Sequence, residues 1–286
     1  MRVDINGNPL EVEVLGDHGP DAPVMIVHHG APGLASRAEP RTAFGPFSDV
    51  MRVLVFDARG SGASGLTPPF THEQWVADVD ALREWIGAEQ IVMAGGSYGG
   101  FISLEYALAH PDRVRALVLR DTAADSSFNE RARENALSSP RVQIDRERYD
   151  RSFSGRLRDD ADFERSWRMI APLYDHDLTP EKLEARLRGT VYHHEAHNAA
   201  FAENLPRYDL KDRLPSITAP TLVTVGRHDW ITPVEASEQI ARLIPNARLV
   251  VFEESGHSPQ LEEPEKFQRT VREFLVEAGV LQAAAR

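Results

Sequence analysis

Six short, almost unbroken apolar runs constrain the fold of this chain more than any other feature: residues 24–27, 53–56, 91–94, 116–119, 221–225 and 249–252. A strand with one wet face alternates apolar and polar residues, whereas a strand covered on both faces does not, so these runs read as strands of a largely parallel sheet. Parallel strands need crossover connections, and helix signals lie between several of the runs. Thr71 and Gln74 form a capping box ahead of the stripe Trp75, Val79, Leu82 and Ile86, with Gly87 at its close. Thr232-Pro233-Val234-Glu235 opens another helix, with Pro233 expected at its first position. The expected architecture is α/β, with a mostly parallel central sheet and helices on both faces. Ahead of the first run, Val3 and Ile5, then Leu10, Val12 and Val14, alternate about Asn6-Gly7-Asn8-Pro9 and read as an opening hairpin.

From about Ala124 to Leu205 no buried-strand run occurs, and charged, aromatic-studded helical patterns replace it, one framed by Thr179-Pro180 and Gly189. A structureless connection of that length is rare in a compact domain. The expected organisation is therefore a core formed by residues 1–123 and 207–286, interrupted by a helical cap at 124–206. A short Ala-rich C-terminal tail is expected to fray.

At 286 residues and 42% hydrophobic content, the chain can fill a substantial core. A net charge of −12 argues against nucleic acid or an anionic membrane as partner, because phosphate surfaces need a concentrated positive field. The absence of cysteine excludes disulfides, thiol catalysis and thiolate metal sites. With no leader-like N-terminus and no apolar run long enough to span a bilayer, a cytoplasmic protein is expected.

Chemistry concentrates at Gly95-Gly96-Ser97-Tyr98-Gly99, a G-x-S-x-G sequence between an apolar run and a helical pattern. In that context it reads as a nucleophile elbow, a strand-to-helix turn so tight that its flanking residues must be small. Hence Gly95 and Gly99. No Lys follows as in a P-loop, and the G-x-G-x-x-G spacing of dinucleotide folds is absent. A serine hydroxyl needs an imidazole to take its proton and a carboxylate to orient that imidazole. His257 follows the run at 249–252 and Asp229 follows the run at 221–225, in the chain order serine, acid, histidine. Asp121, after the run at 116–119, is the rival acid, while Asp17, Asp49 and Asp57 read as turn or loop acids. Two donors are needed for the oxyanion: Tyr98 N–H, and Ala31 N–H from the turn His28-His29-Gly30-Ala31-Pro32-Gly33, which Gly30 and Gly33 allow. The cluster His193, His194, Glu195 and His197 lacks H-E-x-x-H order and reads as solvated or packing histidines, so no metal and no cofactor is expected.

Taken together, His29-Gly30-Ala31-Pro32-Gly33, Phe56-Asp57-Ala58-Arg59-Gly60-Ser61-Gly62, Gly95 to Gly100, the segment from Gly226 to Pro233 and Gly256-His257 resemble the α/β-hydrolase fold family, and within it the proline iminopeptidases, including the tricorn-interacting aminopeptidases. The resemblance implies a serine hydrolase cleaving a small amide or ester, on a small molecule or short peptide. Esterases, lactonases and C–C hydrolases share most of these motifs, as do ligand receptors that retain the triad without turnover. Two positions depart from the pattern. Ala31 stands for the middle glycine of H-G-G-P-G, and Trp230 stands where tricorn-type members carry a glutamate for the substrate ammonium. The resemblance leaves Glu195, Glu203 and Glu39 as candidates for that role. If none serves, Trp230 implies an uncharged acyl group and a carboxylesterase or lactonase. Aromatic residues of the cap, among them Tyr149, Phe153, Trp167, Tyr174 and Phe201, are candidates for shaping the pocket.

Overall fold

The computed structural model describes residues 1–282, and the Ala-rich end expected to fray lies outside them. Eight strands form one sheet in the order β1-β2-β4-β3-β5-β6-β7-β8. They are β1 (Arg2–Ile5), β2 (Asn8–Leu15), β3 (Val24–His28), β4 (Arg52–Asp57), β5 (Ile91–Gly96), β6 (Val114–Arg120), β7 (Thr221–Gly226) and β8 (Ala247–Phe252). β1 and β2 pair antiparallel, as do β2 and β4, and all other neighbours are parallel. The opening hairpin turns on two residues rather than four, because Asn6 and Gly7 both take positive φ (50° and 70°), the requirement of the tight turn that matches strand twist.

The continuous apolar runs are explained by covering on both faces. Along β4, Leu54 and Phe56 point into one core while Val53 and Val55 point into the other. The second core packs against α1 (Ala38–Phe44) and α11 (Pro264–Glu277) through Phe44, Phe267, Val271 and Phe274. The first packs against α2 (His72–Trp85), α3 (Tyr98–Ala109) and α9 (Val234–Leu243) through Trp75, Val79, Ile102 and Ile240. β8 departs from the reading as a strand buried on both faces: it is half-buried, because it closes the sheet edge and has a neighbour on one side alone.

Between β6 and β7 lie α4 (Phe128–Ser138), α5 (Arg146–Phe153), α6 (Asp160–Ile170), α7 (Pro180–Leu187) and α8 (His194–Ala199), which runs into a π turn at Ala200–Asn204. Thr179 caps α7 by accepting from Lys182 N at 3.3 Å, and Asp145 and Asp159 cap α5 and α6 in the same way. Trp167, Ile170 and Leu205 join the first core, so the buried face of these helices is continuous with that of the sheet. α10 (Pro259–Glu262) precedes α11. α9 begins one residue later than expected: Pro233 is its extended cap rather than its first helical residue.

The strand order reverses between β3 and β5, where neighbouring connections leave in opposite directions and open a crevice at the carboxyl ends. At α2, Thr71 Oγ1 accepts from Gln74 N at 3.2 Å. Thr71→Ala is expected to lower unfolding free energy by about 1 kcal/mol in urea titrations, with the denaturant slope unchanged.

Candidate active site

Ser97 sits at the crevice, between the end of β5 and the first residue of α3, with φ 54° and ψ −125°. Left-handed φ is strained for a residue with a Cβ, by about 1–3 kcal/mol, and such strain persists only where the surroundings enforce it. Here they do. A Cβ on Gly99 would collide with the carbonyl oxygens of His28 and His29, and one on Gly95 would collide with Gly99 O and Ser103 Oγ. α3 therefore lies against the end of β3, and the Gly30 loop passes beside the serine, an ideal Cβ at Gly30 lying 3.5 Å from Ser97 Cβ.

The loop after β3 is fixed by buried polar contacts. His29 Nε2 accepts from Ala58 N at 2.9 Å, which leaves the proton on Nδ1 to donate to Gly30 O at 3.0 Å. Burial lowers the pKa of His29 to about 4 and that of His28 to about 3, so both are neutral rings. Gly33 takes φ 72° where a Cβ would strike His193 O, and its N–H donates to Ser61 Oγ at 2.9 Å. Ala31 O accepts from Leu34 N and Ala35 N, which turns the chain so that Ala31 leads a helical turn. Asp57 is not the loop acid expected: it is the last residue of β4, buried, and accepts from Ala63 N at 2.9 Å and Arg37 N at 2.7 Å.

Asp229 and His257 follow β7 and β8. Asp229 Oδ2 accepts from His257 Nδ1 at 2.7 Å and from Thr232 Oγ1 at 2.8 Å, while Oδ1 accepts from Ile231 N at 2.9 Å and Thr232 N at 3.1 Å. With its Nδ1 proton committed to the carboxylate, the imidazole has Nε2 free to accept. His257 N donates to Tyr174 O at 2.8 Å, and Arg120 Nη1 donates to His257 O at 3.2 Å.

Arg120, which the sequence reading passed over, ties the site together. Its guanidinium lies over Gly96, where a Cβ would strike it, and donates to Glu39 Oε1 at 2.9 Å and Asp121 Oδ2 at 3.2 Å. An arginine ending an apolar run was the available signal. Asp121, the rival acid, is fully buried with φ 47°, and accepts from Gly226 N at 2.9 Å. A carboxylate oxygen of Asp121, one of Asp229 and a ring nitrogen of His257 lie within 4.8 Å of one another. The hydrogen bond to Nδ1 belongs to Asp229.

Two chambers meet at Ser97. The inner one, about 40 Å³, is lined by aromatic and aliphatic side chains including Phe101, Phe128, Phe163, Ile170 and Phe201. None of the described residues lining it is Asp, Glu, Lys or Arg, and burial lowers the pKa of its His197 to about 4. The outer one, about 500 Å³, contains His257, Glu39, Arg120 and the charged face of α7. Ala31, Leu34, Ser97, Trp167 and Tyr174 line both.

The remaining sequence candidates scatter. Phe201 and Trp167 line the inner chamber, with Phe153 and Tyr174. Trp230 lines neither chamber: its ring packs edge-on against Phe153 and Tyr174 and is 6% exposed, and Ile231 and Thr232 reach the chamber in its place. Glu203 is exposed on the π turn, and Glu195 opens on a separate pocket of about 150 Å³ beside His193 and His194. The histidines of that cluster are dispersed: His193 Nε2 meets Gly62 O, His194 Nδ1 meets Asp160, and His197 stacks on Phe201.

Burial, then the neighbouring Asp229 charge, push the Asp121 carboxyl up to about 7. A folded pKa above the unfolded value of about 4 means the native state keeps a proton the unfolded chain releases, so the stability this contributes is full below pH 4 and lost as pH rises through about 7. Asp121→Asn is expected to remove this slope: urea titrations at pH 5 and pH 8 should show the parent losing more stability across the interval than the variant. Equal losses would mean that Asp121 does not hold the proton.

Comparison with known proteins agrees with the fold. Residues 23–264 match the family model for the alpha/beta hydrolase fold. Over 279 residues the chain is 36% identical to a proline iminopeptidase of Pestalotiopsis fici, covering 96% of this chain and 98% of that one. It is 31% identical to a 2-hydroxymuconate semialdehyde hydrolase of Pseudomonas putida, covering 93% and 92%. Among solved structures, a thermophilic esterase from Thermogutta terrifontis superposes with a TM-score of 0.77 at 29% identity, covering 97% and 99%. With most of its length matched by the family model and its fold shared with these relatives, the chain belongs to the α/β-hydrolase fold family.

Proposed function

We propose that this protein is a cofactor-free serine hydrolase that cleaves a small ester or amide through an acyl-enzyme, with Ser97 as nucleophile, His257 as general base and acid, and Asp229 as the group that orients the imidazole. The observation that carries this reading is the 2.7 Å bond from His257 Nδ1 to Asp229 in a crevice that both His257 and the strained Ser97 line. Ser97 Oγ attacks the carbonyl carbon as His257 Nε2 takes its proton. Charge then develops on the carbonyl oxygen, where the N–H groups of Ala31 and Tyr98 receive it; Tyr98 is the first residue of α3, so its N–H has no partner within the helix. The imidazolium returns its proton to the leaving group, and water, activated by the same ring, releases the acyl group.

The helical segment at 124–206 serves as the cap in this reading, because its side chains form most of the inner chamber wall. That wall also bears on substrate class. A free N-terminal ammonium needs an unengaged carboxylate, since desolvating it unpaired costs several kcal/mol. The acids lining the outer chamber are already engaged. Glu39 accepts from Arg120 at 2.9 Å and Gln260 at 2.7 Å, Asp175 pairs with Arg186, and Glu262 accepts from Gly256 N and His176 N at 2.7 Å each. An uncharged acyl group in the inner chamber, as in a carboxylesterase or lactonase, fits these contacts. The aminopeptidase reading draws its support from the Pestalotiopsis fici relative, and in it Glu39 would have to exchange Arg120 for the substrate ammonium.

Ser97→Ala is expected to reduce turnover of short-chain p-nitrophenyl esters by at least about 10⁴-fold, with the fold intact by circular dichroism. The parent should hydrolyse acetyl and butyryl esters faster than prolyl p-nitroanilide. Faster release from the prolyl anilide would favour the aminopeptidase, and unchanged ester turnover in Ser97→Ala would remove the mechanism.

A further inference from the structure

The wall of the inner chamber is apolar but for a few side chains, and most of these are accounted for. Ser97 is the nucleophile of the proposed mechanism. Tyr98 Oη lies 3.2 Å from Ala200 O, Thr232 Oγ1 donates to Asp229 at 2.8 Å, and His197 Nε2 lies 3.1 Å from Ser152 O. Trp167 and Tyr174 stand at the neck, since they line the outer chamber as well. Two further polar side chains line the inner chamber alone: Asn129 of α4 and Ser152 of α5.

Ser152 is 4% exposed, yet its hydroxyl has no hydrogen-bond partner among the described residues. The contacts made at this residue, from His197 Nε2 and from Gly155 N at 3.1 Å each, go to its main-chain oxygen. Other helical serines satisfy themselves: Ser103, Ser138 and Ser166 donate to the carbonyl four residues back at 2.7, 2.8 and 2.8 Å. Ser237 of α9 also lacks a partner, but its oxygen is sealed in the core and lines neither chamber. Asn129 is half-buried; its main-chain N–H donates to Ser126 O at 3.2 Å, and its carboxamide has no partner among the described residues. A buried hydroxyl left unpaired opposes folding, and alanine would fill the same place without that cost. A ligand group that supplies the missing bond removes it.

Size and charge define that group. The chamber, about 40 Å³, is a few times the roughly 10–15 Å³ that one water needs, so it has room for about three or four heavy atoms of an acyl chain. No Asp, Glu, Lys or Arg among the described residues lines it, so an ionised group would lose its water there with no counter-charge. A hydroxyl and a carboxamide, by contrast, each donate and accept without charge. We propose that Ser152 and Asn129 form a specificity subsite for an uncharged hydrogen-bonding group on a short acyl chain, so that the preferred substrate is an ester or amide of a short hydroxy or oxo acid rather than of a plain fatty acid. The leaving group then occupies the larger outer chamber. This inference rests on the reading of Ser97 as nucleophile and of the inner chamber as the acyl side.

Two pairs of p-nitrophenyl esters test it, each with a methyl group in place of the hydroxyl: 3-hydroxybutyrate against isovalerate, and 2-hydroxybutyrate against 2-methylbutyrate. Comparing the hydroxyl-to-methyl ratio of kcat/KM between parent and variant cancels the intrinsic reactivity of the esters. In at least one pair the ratio should be about tenfold higher in the parent than in Ser152→Ala, and Asn129→Leu should lower it as well. Turnover of the methyl ester should be unchanged in Ser152→Ala, and its Tm should equal or exceed that of the parent, since the hydroxyl serves no bond within the fold. A ratio that neither substitution moves in either pair would overturn the proposal, as expected if the two side chains meet water only. A binding measurement keeps this separate from the mechanism. In Ser97→Ala, NMR titration with the corresponding free amides should give a hydroxyl-to-methyl affinity ratio about tenfold higher than in Ser97→Ala/Ser152→Ala. Equal ratios there would overturn the subsite, whatever becomes of Ser97 as nucleophile.

Discussion

The close approach of α3 to the end of β3 is the constraint on which the rest of this structure depends. The helix begins within contact of two carbonyl oxygens of β3 and its loop, and the lack of a side chain at Gly99 permits it. The turn that makes this approach has no relaxed conformation for a residue with a Cβ, so Ser97 is held at φ 54°. The strain has a consequence in three dimensions: the serine stands at the reversal of strand order, between the two chambers, with the Gly30 loop beside it.

Charge in this region is confined to few groups. The rings of His28, His29 and His197 are neutral because burial disfavours their protonated forms. Arg120 is bonded at once to Glu39, Asp121 and the carbonyl of His257, so the strand that pairs with β5 also steadies the histidine loop. Two buried carboxylates approach His257, and they are distinguished by their contacts. Asp229 accepts hydrogen bonds from the ring and from three further donors. Asp121 receives a backbone N–H and the arginine, and its carboxyl is raised to about 7 by burial and by its neighbour. One acid orients the ring while the other serves the backbone.

Much of this was legible in the sequence because it follows from burial. Residues covered on two faces must be apolar, and the six runs therefore marked the parallel strands. Their ends read short, since Asp57, Gly95, Gly96 and Arg120 continue the ladders without being apolar. The segment between β6 and β7 yielded α7 through Thr179, Pro180 and Gly189, but α5 and α6 are capped by Asp145 and Asp159, which no neighbouring pattern singled out. The positions of Ser97, Asp229 and His257 beyond β5, β7 and β8 followed from chain order. The pocket did not. Trp230 follows Asp229 in sequence, but the turn that presents the carboxylate to His257 directs the indole to Phe153 and Tyr174. Contacts made across more than thirty residues, such as His72 with Glu105 and Arg120 with Glu39, leave no local pattern.

The chambers bring these parts together: an apolar space without acids on one side of Ser97, and on the other a charged mouth that His257 lines. In the proposed mechanism the hydroxyl of Ser97 becomes acylated during turnover. Acid-quenching the enzyme within the first turnovers of a p-nitrophenyl ester, followed by peptide mass mapping, locates the acyl group. The acyl mass is expected on the peptide containing Ser97. Burst release of p-nitrophenol with the acyl group on another residue, or on none, would rule the mechanism out.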